Sequence, residues 1–126
     1  MPDIYDQHAA AFAQVSAFVV MRDGEKVATV AFKFPRDGAG RLYAYVHWLG
    51  IHMVRAYAGG YGYDKRTAAA EYAARAMPTA AKAYGPENDH PDVSLYDAFR
   101  AALLLGDGYD WSRNLEKAGF TVLQAV

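Results

Sequence analysis

The chain has no cysteine, which excludes disulfides, thiolate metal centres and cysteine nucleophiles together. It is also poor in serine. Only Ser16, Ser94 and Ser112 occur, and none has the glycine flanks of a nucleophile elbow. Each fits an ordinary local place in a strand, a cap or a helix. Four histidines, His8, His47, His52 and His90, lack the i, i+4 spacing of a helical zinc site. His47 and His52 fall on strands expected to pair, but the ordinary reading is hydrogen-bonded structural histidine. No apolar run approaches the ~18 residues of a membrane span. The start, Met1-Pro2-Asp3-Ile4-Tyr5-Asp6, is acidic rather than basic as a signal peptide would be. The expectation is a cytoplasmic protein without cofactor, metal or membrane contact, and without a catalytic set.

What the chain does contain is apolar surface. Over 126 residues, 53% are apolar, enough for one domain with a core of its own. The net charge of −1 conceals an uneven distribution. Between residues 87 and 110 stand Glu87, Asp89, Asp92, Asp97, Asp107 and Asp110, with Arg100 the one basic residue. A general nucleic-acid binder shows the opposite, a basic stripe.

The hydrophobic pattern divides the chain. Gln14 to Arg22 and Lys26 to Phe34 alternate with the period of a strand, joined by Asp23-Gly24, a dipeptide suited to the positive φ of a type I′ turn. Gln7 to Ala13 reads as a short helix or an ordered arm. Arg41 to Trp48 is the clearest strand, with Leu42, Ala44, Val46 and Trp48 on one face and Arg41, Tyr43, Tyr45 and His47 on the other. Ile51 to Tyr57 makes a fourth. Short links imply an antiparallel meander. The period then changes. Lys65 to Met77 is alanine-rich and helical, with Asp64 as N-cap and Ala69, Tyr72, Ala73 and Ala76 as its apolar face. Pro78 stops it, and residues 78–91 read as irregular. A second helix is expected from about Asp92 to Leu105, with Ser94 and Asp97 at capping-box spacing and Leu95, Phe99, Ala102 and Leu103 as its stripe. A third runs from Trp111 to Ala118, capped by Asp110, and Phe120 to Leu123 suits a last strand. The predicted fold is α+β: a single domain over 1–126, a four-stranded antiparallel sheet and about three helices packed mainly on one face. Leu42, Val46, Trp48, Phe32, Val30, Leu95, Phe99 and Leu103 are the expected core.

Two surfaces carry functional expectations. The first is the acidic set Glu87, Asp89, Asp92, Asp97, Asp107 and Asp110, read as a docking surface for lysine and arginine on a partner; capped helices and solvated loops are the ordinary alternative. The second is the glycine–tyrosine segment around Tyr61 and Tyr63, entering a helix at Lys65 and Arg66. With Tyr43 and Tyr45 it offers rings for stacking on single-stranded nucleic acid. Its spacing is neither the Walker loop nor the dinucleotide fingerprint, and the ordinary alternative is a glycine-rich strand-to-helix junction.

The run Arg41-Leu42-Tyr43-Ala44-Tyr45-Val46-His47, then Met53-Val54-Arg55, then Gly60-Tyr61-Gly62-Tyr63-Asp64-Lys65, with the closing stretch 111–122, resembles a pattern in small proteins of bacteriophages and mobile elements. That resemblance implies a cytosolic protein acting on host machinery. Anti-CRISPR proteins are one such class: compact, mostly non-enzymatic and acidic where they imitate DNA. The implied partner is a host protein or protein–RNA complex, such as a CRISPR effector, bound by a monomer or dimer.

Overall fold

In the computed structural model the described residues are 12–35, 42–49, 51–57, 65–85, 92–106 and 110–125. Five strands are present among them: β1 (Phe12–Arg22), β2 (Glu25–Pro35), β3 (Leu42–Trp48), β4 (Ile51–Tyr57) and β5 (Thr121–Gln124). Four helices lie between β4 and β5 in the chain: α1 (Lys65–Ala76), α2 (Ala80–Tyr84), α3 (Val93–Leu104) and α4 (Trp111–Lys117). The fold is α+β. The predicted meander is present as β4-β3-β2-β1, antiparallel throughout, and β5 adds a fifth strand at the β1 edge.

Local chemistry explains most of these elements. At the β1–β2 turn Asp23 and Gly24 both take positive φ, 52° and 80°, the geometry a two-residue hairpin needs to match strand twist. A register shift between Val20 and Met21 precedes that turn. The β3–β4 hairpin closes with Trp48 opposite Ile51. Asp110 caps α4, its carboxylate accepting from the Arg113 amide.

The sheet gathers its core on one face. Phe18, Val20, Ala28, Val30, Phe32, Leu42, Ala44, Val46 and Trp48 pack in one cluster with Ala69, Ala70, Ala73, Ala74 and Met77 of α1 and its end, Tyr96, Phe99, Ala102 and Leu103 of α3, and Trp111 and Leu115 of α4. Alanines let α1 lie close over β3 and β4. Trp48 is the hub: it is fully buried, its rings meet Tyr96, Phe99 and Phe120, and its Nε1 donates to the Tyr84 hydroxyl at 2.8 Å. Two further bonds tie α3 to the end of α1: the Tyr96 hydroxyl donates to the Pro78 carbonyl, and Arg100 Nε to the Met77 carbonyl. Arg22 fastens the last strand, donating to the Ala118 carbonyl at the end of α4 and lying over the Phe120 ring.

Several expectations are corrected. Phe12 and Ala13 belong to β1 rather than to a helix or arm, while 7–11 and Asp64 lie outside the described residues. The buried face of α1 is Ala69, Ala70, Ala73, Ala74 and Met77; Tyr72 is exposed, because the i, i+3/i+4 row that meets the sheet lies one residue round from the row through Tyr72. Residues 78–91 are not irregular throughout, since Thr79 caps the short α2 by accepting from the Lys82 amide. Ser94 is no cap. It lies inside α3, whose N-cap position is Asp92 with no side-chain cap bond. Leu95 is only partly buried, and Tyr96 takes its place in the core.

Candidate functional site

The face of the sheet turned away from the core cluster is not an open platform. Along β2 it carries Thr29, Ala31 and Lys33, opposite His47, Tyr45 and Tyr43 of β3. Thr29, Ala31, Lys33, Tyr45 and Ala17 of β1 are buried, whereas Tyr43 and His47 are half-buried. The Lys33 ammonium stands 4.1 Å from the centre of the Tyr45 ring. That is a cation–π contact between diagonal cross-strand neighbours. Burial, with the neighbouring Tyr43 second, pushes the Tyr45 hydroxyl above its ordinary pKa of 10.0. Tyr45, expected as a stacking ring, thus has its face taken by Lys33. The sequence reading passed over Lys33. Its alternation with Thr29 and Ala31 was the available signal, since it puts a cation on the face of Tyr43 and Tyr45.

At the other face, the start of α1 meets the start of α4 at the sheet rim. The Thr67 hydroxyl accepts from the Trp111 amide at 2.9 Å. The Trp111 ring lies against Phe18 and Phe32. Arg66 is exposed, donates to the Ser16 hydroxyl at 2.9 Å and passes 5.6 Å from the Phe32 ring centre. Of the residues expected to grip nucleic acid, Arg66 is therefore a surface cation in the first turn of α1, Tyr43 is half-buried and Tyr45 is buried. Lys65 begins α1, and Tyr61 and Tyr63 lie outside the described residues.

The acidic set divides. Glu87, Asp89 and Asp107 lie outside the described residues. Asp92 stands at the start of α3, beside Tyr84, whose hydroxyl is pushed above 10.0 first by burial, with the Asp92 charge adding to the rise. Asp97 is exposed on α3. Asp110 is committed to its cap: its Oδ1 also accepts from the Ser112 hydroxyl, and that bond foremost holds its pKa below 3.8. Asp92 sits near the end of α1 and Asp110 near its start, through the Tyr96–Pro78 and Trp111–Thr67 bonds. Nine helical residues, 68–76, lie between those anchors, a span of about 15 Å. Asp92 and Asp110 do not converge on one point.

A feature that sequence reading missed is a groove of about 360 Å³ between α3 and α4, lined by Ala98, Ala101, Ala102, Leu105, Asn114, Lys117 and Ala118. It is apolar, open to one side and flanked by a single cation. Among the described residues no three histidine, aspartate or glutamate side chains cluster as a metal site would require, and no helix is long and apolar enough to cross a membrane. No family model, curated protein or solved structure matches the chain.

Proposed function

We propose that this chain is a non-enzymatic binding protein of a phage or mobile element that inhibits a host nucleic-acid-handling complex, such as a CRISPR effector, by presenting the carboxylates of residues 87–110 to a basic surface. One observation supports the reading above the others: Asp97 is exposed within α3, with no ion pair to another described residue. A carboxylate held there keeps its charge for a partner's lysine or arginine, steering encounter and fixing register. Asp92, at the start of the same helix, belongs to the same acidic set. Asp110 contributes less, being engaged in its cap.

The test is capture from a bacterial lysate carrying a CRISPR system, with and without nuclease. A protein complex that survives nuclease, and is lost when Asp89, Asp92 and Asp97 are reversed to lysine in a still-folded chain, is the expected result. Unchanged capture by the reversed protein removes this surface from consideration.

A second reading rests on Arg66, exposed in the first turn of α1 where no acidic residue stands. There the chain is a single-strand binder using Arg66, Lys65, Tyr63 and Tyr61 with Tyr43. It predicts binding that falls steeply with salt and weakens on Tyr63→Ala; flat salt dependence rejects it.

A further inference from the structure

We propose that His47 and His52 form a two-histidine chelating site, on the outer face of the β3–β4 hairpin, for a divalent first-row ion of the imidazole-binding class: copper(II), nickel(II) or zinc(II). The inference stands apart from the inhibitor reading and gives a role to two histidines that the reading leaves unused.

The hairpin itself sets the pair. Trp48 stands opposite Ile51, and His47 stands directly opposite His52. Only positions 49 and 50 separate the closing pair, and Leu49 takes a positive φ of 39°, as two-residue hairpin turns require. In such a hairpin the closing pair exchanges both backbone hydrogen bonds, so the next pair along is a non-hydrogen-bonded one. Residues in that kind of pair stand closest in an antiparallel ladder, with Cα atoms about 4.5 Å apart. Strand alternation then places both histidines on the face opposite Trp48, which is buried in the core. β4 is the last strand in the sheet order, and His47 is half-buried. The pair therefore belongs to the edge hairpin, with His47 partly open to water.

The neighbours select the ion. The outer-face positions bordering the pair are Thr29, Tyr45 and Val54, and none of them is a carboxylate. Magnesium and calcium, which seek charged oxygen, gain little there, whereas copper, nickel and zinc accept imidazole. An imidazole can ligate through one ring nitrogen while the other keeps a hydrogen bond, so contacts of His47 within the fold are compatible with the site. Among the described residues no group of three histidine, aspartate or glutamate side chains forms. The ion then keeps water in its remaining positions and exchanges, unlike a structural zinc closed by four protein ligands. Held across β3 and β4, it ties the two strands beside the turn next to Trp48. It should therefore bind the folded chain in preference to the unfolded one and raise the melting temperature.

The test is calorimetric titration of the full chain with copper(II), nickel(II), zinc(II) and magnesium(II), from about 1 µM to about 1 mM. One ion per chain, with copper(II) bound tightest and magnesium(II) silent, is the expected result. His47→Gln and His52→Gln should each weaken binding at least about tenfold. The variant carrying both His8→Gln and His90→Gln should bind like the wild type. A second measurement needs no variant: substoichiometric nickel(II), being paramagnetic, should broaden the ring resonances of two of the four histidines. The proposal is overturned by the absence of binding below about 1 mM, by binding that survives His47→Gln or His52→Gln, or by binding lost in the His8 and His90 variant. Broadening of a single ring, or of none, overturns it as well, whether or not the variants fold.

Discussion

The two faces of the central strands bury similar fractions of their side chains with opposite chemistry. Toward the helices, Val30, Phe32, Leu42, Val46 and Trp48 form an apolar layer. Away from them, Thr29, Lys33 and Tyr45 are buried as well, with exposures of 5%, 0% and 6%. The first face is stabilised by area removed from water and by close packing. The second must keep a cation and hydroxyls satisfied, so its stability rests on particular contacts, such as Lys33 over Tyr45, more than on volume. The helix-side face should therefore answer to loss of size, and the other to loss of a particular ring or charge.

The strongest way to break that contrast is Trp48→Ala. It removes three ring contacts and a hydrogen bond at a fully buried site, and should cost about 3–5 kcal/mol in denaturant unfolding. A loss under about 1 kcal/mol would falsify this choice of core centre, being no more than a volume-conserving swap usually costs. On the other face, Tyr45→Leu keeps bulk but removes the ring beside the Lys33 ammonium, and should cost about 2 kcal/mol. Tyr45→Phe keeps the ring and should cost less. Equal denaturation midpoints for the two variants would show that Lys33 does not use the ring.

Where residues speak through a period, the sequence is legible. Alternation in 42–48 gives the inner face of β3 without error, and Asp23-Gly24 gives the β1–β2 turn, because both signals are local. The face of α1 is misjudged since alanine carries too little hydrophobic contrast to reveal which row meets the sheet. Tyr72 looks like an anchor yet is 44% exposed. Ser94 has the spacing of a cap, but Asp92 already holds the cap position two residues earlier, and spacing alone does not say which residue begins a helix. The burial of Lys33 and the groove between α3 and α4 depend on tertiary placement. Strand period gives Lys33 a face without giving that face a depth, and the groove exists only once two helices are side by side.

Tyrosine ionisation sharpens the comparison, because buried hydroxyls stand on both faces. Burial is the leading cause of a raised pKa at Tyr45 on one side and at Tyr84 and Tyr96 on the other. In the unfolded chain these groups ionise near 10.0, before they do in the fold. The unfolded state then binds fewer protons, so stability is intact below that pH and declines as pH rises from about 10 through the folded values. Urea midpoints measured from pH 8 to 11 should show the decline, and Tyr96→Phe and Tyr45→Phe should each flatten it. A profile that rises above pH 10, or one that neither variant changes, would reject burial as the cause.

The smallest expected effect lies at the rim of the helix side, where Asp110 starts the helix that carries Trp111 onto Phe18 and Phe32. Its Oδ1 accepts from the Arg113 amide at 2.9 Å and the Ser112 hydroxyl at 2.6 Å. Asp110→Ala should therefore cost about 1 kcal/mol, the usual worth of an N-cap. Because these bonds favour the charged form, the folded pKa lies below 3.8. The contribution is then present above the unfolded value and fades as pH falls below it through the folded one. The gap between wild type and Asp110→Ala should consequently be fullest at neutral pH and narrow toward pH 2. Asp110→Asn retains an acceptor without the charge, so it should keep much of the stability at pH 7 and lose the acid dependence. If Asn behaves like Ala, the negative charge near the helix dipole matters more than the hydrogen bonds. If Asn behaves like Asp at every pH, the cap works by geometry alone.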